Sequence, residues 1–594
     1  MEGPKEFLIR SVNYFNANTR LYRCGLMNEK SGVILGLNDS NSAAAIIRDG
    51  KLLAMAREER FDRIKFSDSY PANAVNYCLI EAGLSLKDVD RIVFAWNPGH
   101  ELEPQDSSAA IRYHKDFLHY IPNNLLRHIG GEKENKRISS ISERINFLKG
   151  AVDIDFLPHH CCHASSAFLV SPYNKAVILT IDAHGDDITS ESFIGEDNKI
   201  KSISQTMYPY SLGHVYAALT QYLGYRANSD EWKIMGLASY GELEYYDLFS
   251  KIIRFDRENE SFWIDLDYFT FYLWNPRRYS DKFLKNLGPE RCPENELTQQ
   301  HMNIAASFQR RIEDVILEMC NHLYDKTKID TLCLAGGVTM NSKMNGRILL
   351  ESPFDKVWVQ PNADDAGASI GACFYYWNHI LGNKREFVME HDYWGAGPTN
   401  DEIKNALNDC LVSYEYLEDV EKTAAKAIYD NKIIGWFQGR MESGQRALGN
   451  RSILADPRDP DMKNKINKLI KHREWYRPFA PSIIDKCQGD FFESTFPSPF
   501  MQMVYPIKKD VQELIPAVTH EDGTGRLQTV QKNSNPRFWT LIDEFRKLSG
   551  IGLVLNTSFN DNDEPIVCTP KHAIRTFFST GLHELYIGNY RVWK

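Results

Sequence analysis

No run of apolar residues in this chain is long enough to span a bilayer, which argues against a helical membrane protein. Excess positive charge is also missing. The net charge is −10, and a general nucleic-acid binder needs a clustered positive field. A disulfide framework is absent as well: the 11 cysteines are odd in number and scattered, as in a reducing cytosol. The first residues, Met1-Glu2-Gly3-Pro4-Lys5-Glu6, have neither the basic nor the apolar section of a signal peptide. Low-complexity tracts and short repeats are lacking too. The expectation is a cytoplasmic enzyme with no membrane or nucleic-acid partner.

What is present is a long, ordinary soluble composition. The 594 residues exceed one domain, with 43% hydrophobic and 25% charged residues. Val33–Leu37 and Ala43–Ile47 read as buried strands, Arg48-Asp49-Gly50 as a hairpin turn, and Lys51–Ala56 as the returning strand. The same pattern recurs at Ala176–Asp182 and Ser192–Gly195. A further strand, Thr331–Ala335, runs into Gly336-Gly337, where missing side chains let backbone approach a ligand closely. Near Gly382–Glu386 the apolar pattern breaks. Three segments are expected: an extension over 1–30, a domain over 31–385, and a second α/β domain over 386–594 whose first strand is Ile433–Phe437.

Two constellations carry chemistry. His159 and His163 are four apart, which places both imidazoles on one helix face. A bare pair of histidines is better explained by a core, and no second Cys or His pair at zinc-finger spacing exists. Asp182 at a strand end and Asp365 at the start of a small-residue helix supply the carboxylates a divalent ion wants. Iron, manganese and zinc all suit such ligands. The other constellation is basic. Arg446 and Arg451 follow a glycine-rich stretch, Lys471 and Arg477 flank Trp475-Tyr476, Arg526 follows Gly523-Thr524-Gly525, and Asn556 and Ser558 end an apolar run. Guanidinium forks match phosphate oxygens two at a time, and these arginines sit among apolar and turn residues, not in solvated charged runs.

The motifs His159 to Ala164, Lys233-Ile234-Met235-Gly236-Leu237-Ala238, Ala335-Gly336-Gly337-Val338-Thr339-Met340-Asn341, Gly444 to Arg451, Arg477-Pro478-Phe479-Ala480-Pro481 and Leu555 to Asn560 resemble the NodU/CmcH family of O-carbamoyltransferases, nearly throughout the chain after Ser31. The resemblance implies an α/β protein: an N-terminal domain of the kinase-like ATPase (ASKHA) type, similar to the enzyme that transfers threonylcarbamoyl to tRNA, and a C-terminal YrdC-like domain. It implies that the back domain joins ATP, taken with magnesium, and carbamoyl phosphate into carbamoyl-adenylate, releasing pyrophosphate. The front domain then passes the carbamoyl group to a hydroxyl of a small acceptor, as in antibiotic and other natural-product biosynthesis. By the same resemblance, Lys471, Arg477 and Arg526 hold carbamoyl phosphate; Arg446, Arg451, Asn556 and Ser558 contact ATP and phosphate; Gly336, Gly337, Asn341 and Asp182 belong to a nucleotide-binding loop; His159, His163, Asp182 and Asp365 ligate the metal, iron first; and Lys65 acts at the transfer site. A homodimer is left open.

The chain departs from the family pattern at the transfer site. Ser40 stands where the family has a histidine base, and a serine cannot accept a proton near pH 7 as imidazole does. Phe66 follows the lysine in place of a histidine, and Ala183 replaces a glycine. Asp39, Asp68 and His184 are the neighbouring replacements for the base, an amine acceptor is an alternative to a hydroxyl, and a transfer-impaired homologue is another. The rivals are a tRNA-modifying enzyme of the threonylcarbamoyl type, a nucleotide sensor without turnover, and a sugar or acetate kinase, which leaves the basic constellation unexplained. The segment from Glu101 to Ser140 and the extension before Ser31 are expected to shape the acceptor site.

Overall fold

The computed structural model describes residues 32–96, 153–273 and 275–594. The N-terminal extension and the Glu101–Ser140 segment lie outside the described residues. The expected strands are present. β1 (Val33–Asn38) pairs antiparallel with β2 (Ala43–Arg48), which pairs antiparallel with β3 (Lys51–Arg57). On its other edge β1 pairs parallel with β4 (Arg91–Phe94), and β4 with β5 (Asp153–Phe156). All six residues of β1 are buried, as a central strand covered on both faces requires.

The second sheet repeats that topology strand for strand. β6 (Lys175–Gly185) and β7 (Ile188–Glu196) pair antiparallel, as do β7 and β8 (Lys199–Met207). Then β6 pairs parallel with β9 (Thr331–Ala335), and β9 with β10 (Lys356–Val359). The orders β3-β2-β1-β4-β5 and β8-β7-β6-β9-β10 have identical directions. This internal duplication is the kinase-like arrangement read from the repeated strand–turn–strand pattern.

Between the two sheets cross α1 (His159–Phe168) and the α5 helix (Asp365–Phe374), numbered after α2 (Glu231–Leu237), α3 (Gln299–Thr327) and α4 (Ser342–Glu351). Their contact is close because α5 carries small residues. A Cβ on Gly371 would fall 1.8 Å from the Cys162 carbonyl oxygen, so only glycine permits this crossing. The same closeness brings the first turn of α5 against the first turns of α1, where His159, His163 and Asp365 lie.

The back half forms one eight-stranded mixed sheet. Its strands are β11 (Tyr414–Tyr416), β12 (Ile434–Phe437), β13 (Arg451–Ala455), β14 (Ala480–Ile484), β15 (Gln528–Val530), β16 (Leu553–Ser558), β17 (Glu584–Ile587) and β18 (Tyr590–Trp593). Their order is β11-β18-β17-β12-β13-β16-β14-β15. The mixed α/β class expected for both halves is borne out. One apolar core runs from the second sheet into this third one, joining residues such as Leu179 and Phe308 to Ile434 and Leu555. Among the described residues no helix is long and apolar enough to cross a membrane.

Candidate active site: a metal-ligand group and a basic pocket

His159, His163, Asp182 and Asp365 converge, with one ligand atom from each lying within 4.8 Å of all the others. Helix α1 presents the two imidazoles one turn apart, the end of β6 supplies Asp182, and α5 supplies Asp365. His163 Nε2 stands 2.9 Å from Asp182 Oδ2 and 3.3 Å from Asp365 Oδ1, and His159 Nε2 is 3.4 Å from Asp365 Oδ1. Yet both Nε2 atoms and Asp182 Oδ2 are buried without a properly aligned hydrogen bond. Buried polar atoms left this way are the sign of a ligand set. His159 Nδ1 lies 2.8 Å from the Ala95 carbonyl, which takes the ring proton and turns the Nε2 lone pair toward the group. Burial alone would lower the pKa of His159, but Asp182 and Asp365 lift it well above the ordinary imidazole value; burial would raise that of Asp182, and the two histidines hold it well below the carboxylate range. Two anionic and two neutral ligands, all oxygen or nitrogen, fit iron, manganese or zinc.

The turn after β9 lies against this group. Gly336 has φ +93, and a Cβ there would meet the Ile181 carbonyl at 2.3 Å; a Cβ on Gly337 would come 3.1 Å from Asp182 Oδ1. Asn341 is committed elsewhere: it caps α4 by accepting from the Met344 N–H at 3.1 Å and exchanges hydrogen bonds with Gln309. Asp39 and Ser40 lie in the β1–β2 turn. Burial, together with the charges of Asp68 and Asp365, pushes the Asp39 carboxyl up to about 7.

The second feature is a pocket whose walls come from both halves. The front half contributes Glu59, Arg60, Lys65 and Phe66 after β3, and Trp232, Met235 and Gly236 of α2. The back half contributes Arg446, Lys471, Arg473, Arg477, Arg526, Asn556 and Ser558. Lys65 therefore joins the phosphate-type cations, with its ammonium 4.8 Å from the Trp232 ring centre. Burial is the first cause that lowers the pKa of Arg446, Lys471, Arg473, Arg477 and Arg526, and neighbouring cations add to it for all but Arg477, where Glu474 opposes it. For Arg446 burial first and the charge of Arg477 next bring the value down to about 10. Arg446 Nε and Arg526 Nε are buried without partners. So much poorly compensated positive charge is stable only where an anion comes to occupy it. Asp561, Asp563 and Glu564 line the same pocket.

Some residues chosen from sequence are spoken for by the fold. Arg451 does not line the pocket. It is wholly buried, stacks 3.7 Å over the Phe437 ring, and donates to the carbonyls of Gln438 (2.6 Å), Asn450 (2.9 Å), Ala396 (2.9 Å) and Gly439 (3.0 Å). Both of its Nη atoms are used in fastening the loop before β13 to the segment at Ala396, and although Nε lacks a partner it is wholly buried away from the pocket. Lys471 donates to Asn560 Oδ1 at 2.8 Å and the Asn560 carbonyl at 2.9 Å, so it also shapes the turn after β16. Arg473, Trp232 and Phe66 also line the pocket, although the sequence reading does not choose them as ligand-facing residues. Arg473 had a signal: it sits two residues after Lys471. Trp232 had none, being placed by the packing of α2.

Family models decide the class. One for the carbamoyltransferase N-terminus matches residues 33–374, and one for the carbamoyltransferase C-terminus matches residues 425–594. The chain belongs to the carbamoyltransferase family. This carbamoyltransferase is 38% identical to the Synechocystis protein sll1178 over 94% of this chain and 96% of that one. It is 36% identical to nodulation protein NolNO of Sinorhizobium fredii over 93% of this chain and 79% of that one. Against nodulation protein NolO of Bradyrhizobium diazoefficiens the figures are 36% over 73% and 78%. The crystal structure of T. kodakarensis HypF aligns with a TM-score of 0.35 at 12% identity, covering 60% of this chain and 48% of that one. The expectation of an enzyme that transfers carbamoyl groups is borne out.

Proposed function

We propose that this carbamoyltransferase makes carbamoyl-adenylate from carbamoyl phosphate and ATP in the basic pocket, and delivers the carbamoyl group to a hydroxyl of a small natural-product acceptor beside the metal-ligand group. The domain over 31–385 houses transfer and the domain over 386–594 houses activation. One observation carries the reading: seven cationic side chains, Arg60, Lys65, Arg446, Lys471, Arg473, Arg477 and Arg526, line a single pocket, and three of the guanidinium Nε atoms, those of Arg60, Arg446 and Arg526, are buried without a partner.

The phosphate of carbamoyl phosphate is lost to water as inorganic phosphate, leaving carbamate; a carbamate oxygen then attacks the α-phosphorus of ATP, and pyrophosphate departs. Arg446, Arg477 and Arg526 bind the phosphate oxygens and neutralise charge as it develops, in a site where water is restricted. Asn556 and Ser558 border the bound anion. Phe66 and Trp232 close the front wall and hold Lys65 against the pocket.

In the second step the acceptor hydroxyl attacks the carbamoyl carbon, its proton goes to a base, and AMP leaves. Ser40 cannot be that base. Asp39, with its carboxyl near 7, is matched to proton acceptance at neutral pH. A divalent ion on His159, His163, Asp182 and Asp365, iron first among the choices, supplies Lewis-acid stabilisation of negative charge. The protein is incubated with ATP and labelled carbamoyl phosphate, with no acceptor present. Pyrophosphate release that requires carbamoyl phosphate is expected; release independent of it, or none at all, rejects the activation step. Adding candidate acceptors and weighing the labelled product then tests the transfer.

A further inference from the structure

The pocket and the metal-ligand group are joined by a buried strut that neither site needs for its own ligands. Asp364, immediately before the ligand Asp365, is buried at the head of α5. It receives Arg57 of β3 through two parallel bonds, Nη1 to Oδ2 at 2.8 Å and Nη2 to Oδ1 at 2.6 Å. Its Oδ2 also receives Gln445 Nε2 at 2.6 Å, and Gln445 immediately precedes Arg446. The short turn before Arg446 is clamped from the front half elsewhere too: Arg57 Nε donates to the Ser443 carbonyl at 3.2 Å, and Arg60 Nη2 to the Gly444 carbonyl at 2.9 Å. One carboxylate thus adjoins a metal ligand directly in the chain and reaches an anion-binding arginine through the single residue Gln445.

We propose that Arg57, Asp364 and Gln445 are positioning residues that couple anion binding in the pocket to ion binding at the His159–His163–Asp182–Asp365 group. The proposal rests on the reading of those two sites given under Proposed function. Arg446 has a buried Nε without a partner and only a long 3.4 Å bond from Nη2 to the Met340 carbonyl, so an anion bound there adds restraint to its side chain. Ordering Arg446 fixes Gln445, which steadies Asp364 and, next in the chain, Asp365. A protein already ordered by one ligand loses less freedom on taking the second, so the coupling is positive, and by linkage it is equal in both directions.

Calorimetry with inorganic phosphate as the probe tests this, using metal-free protein and Zn2+-loaded protein freed of excess ion, with zinc content checked by elemental analysis. Phosphate should bind about fivefold or more tightly to the loaded form, the lower end of ordinary coupling. Gln445→Leu should cut that ratio to about twofold or less while still binding zinc. Arg57→Lys, which keeps charge but loses the two-bond fork, should reduce it in the same direction. Equal phosphate affinity in both forms of the wild type overturns the coupling. A ratio undiminished in Gln445→Leu also overturns it, because a direct field between ion and phosphate would persist without the strut. Failure of phosphate or zinc to bind at all is a different result: it removes the site assignment itself.

Discussion

Arg526 and His163 express the two chemistries at the level of single side chains. Arg526 is buried among Arg446, Arg473 and Arg477, and its pKa is lowered by burial first and by those three charges next. An anion relieves both penalties. Arg526→Ala should therefore reduce carbamoyl-phosphate-dependent ATP–pyrophosphate exchange by about 100-fold or more, the usual cost of one preorganised donor to developing charge; exchange within a few-fold of wild type would remove it from the site. His163→Ala takes away one of four converging ligands, and elemental analysis should find the bound ion lost, while undiminished metal contradicts the ligand set. Both residues were legible in the sequence, His163 from its four-residue spacing to His159 and Arg526 from its glycine-rich turn. Arg451 shows why such reading stops at type and spacing. An arginine among glycines and asparagines resembles a phosphate ligand until four carbonyls are found to surround it.

At the level of elements, alternation and short apolar runs marked β1, β2, β3, β6, β9 and β12 correctly, because buried strands flanked by turn residues leave a local signature. What puts α1 beside α5 is not local. It follows from Gly371 and its small neighbours, whose partner Cys162 is far away in the chain. For the same reason α2 could be recognised as a motif but not placed as a wall of the basic pocket. The turn after β9 is the sharpest case of an element serving the site. With φ +93 and the Ile181 carbonyl 2.3 Å from where a Cβ would stand, Gly336→Ala should lower unfolding stability by about 2–3 kcal/mol, measured by denaturant titration. It should also disturb the end of β6 that bears Asp182. An alanine variant as stable as the parent would show that the turn can relax.

Across the whole molecule, buried carboxyls make stability depend on pH. Burial pushes Glu191 up to about 7 from an ordinary 4.5. Below the ordinary value it is protonated in both folded and unfolded chains, and its contribution is fully present. Between the two values the unfolded chain releases a proton that the folded chain keeps, so stability is lost as pH rises toward 7. The displacement corresponds to about 3 kcal/mol. Glu191→Gln lacks this loss, so the stability of the variant relative to the parent should improve from pH 4.5 to 8 in paired denaturant titrations; a gap that is constant with pH, or that moves the other way, contradicts the assignment. Net charge and composition indicate a large folded chain but do not reveal this group, because nothing near Glu191 in sequence shows that β7 is enclosed.

Because the basic pocket takes its walls from residues near 60, near 235 and beyond 445, a growing polypeptide leaving the ribosome has no complete pocket until nearly its whole length has been made. Half-made or truncated copies hold only one side of the cradle. On the proposed reading they would bind the labile carbamic–phosphoric mixed anhydride weakly, and the cell is thereby spared fragments that squander ATP with nothing to deliver.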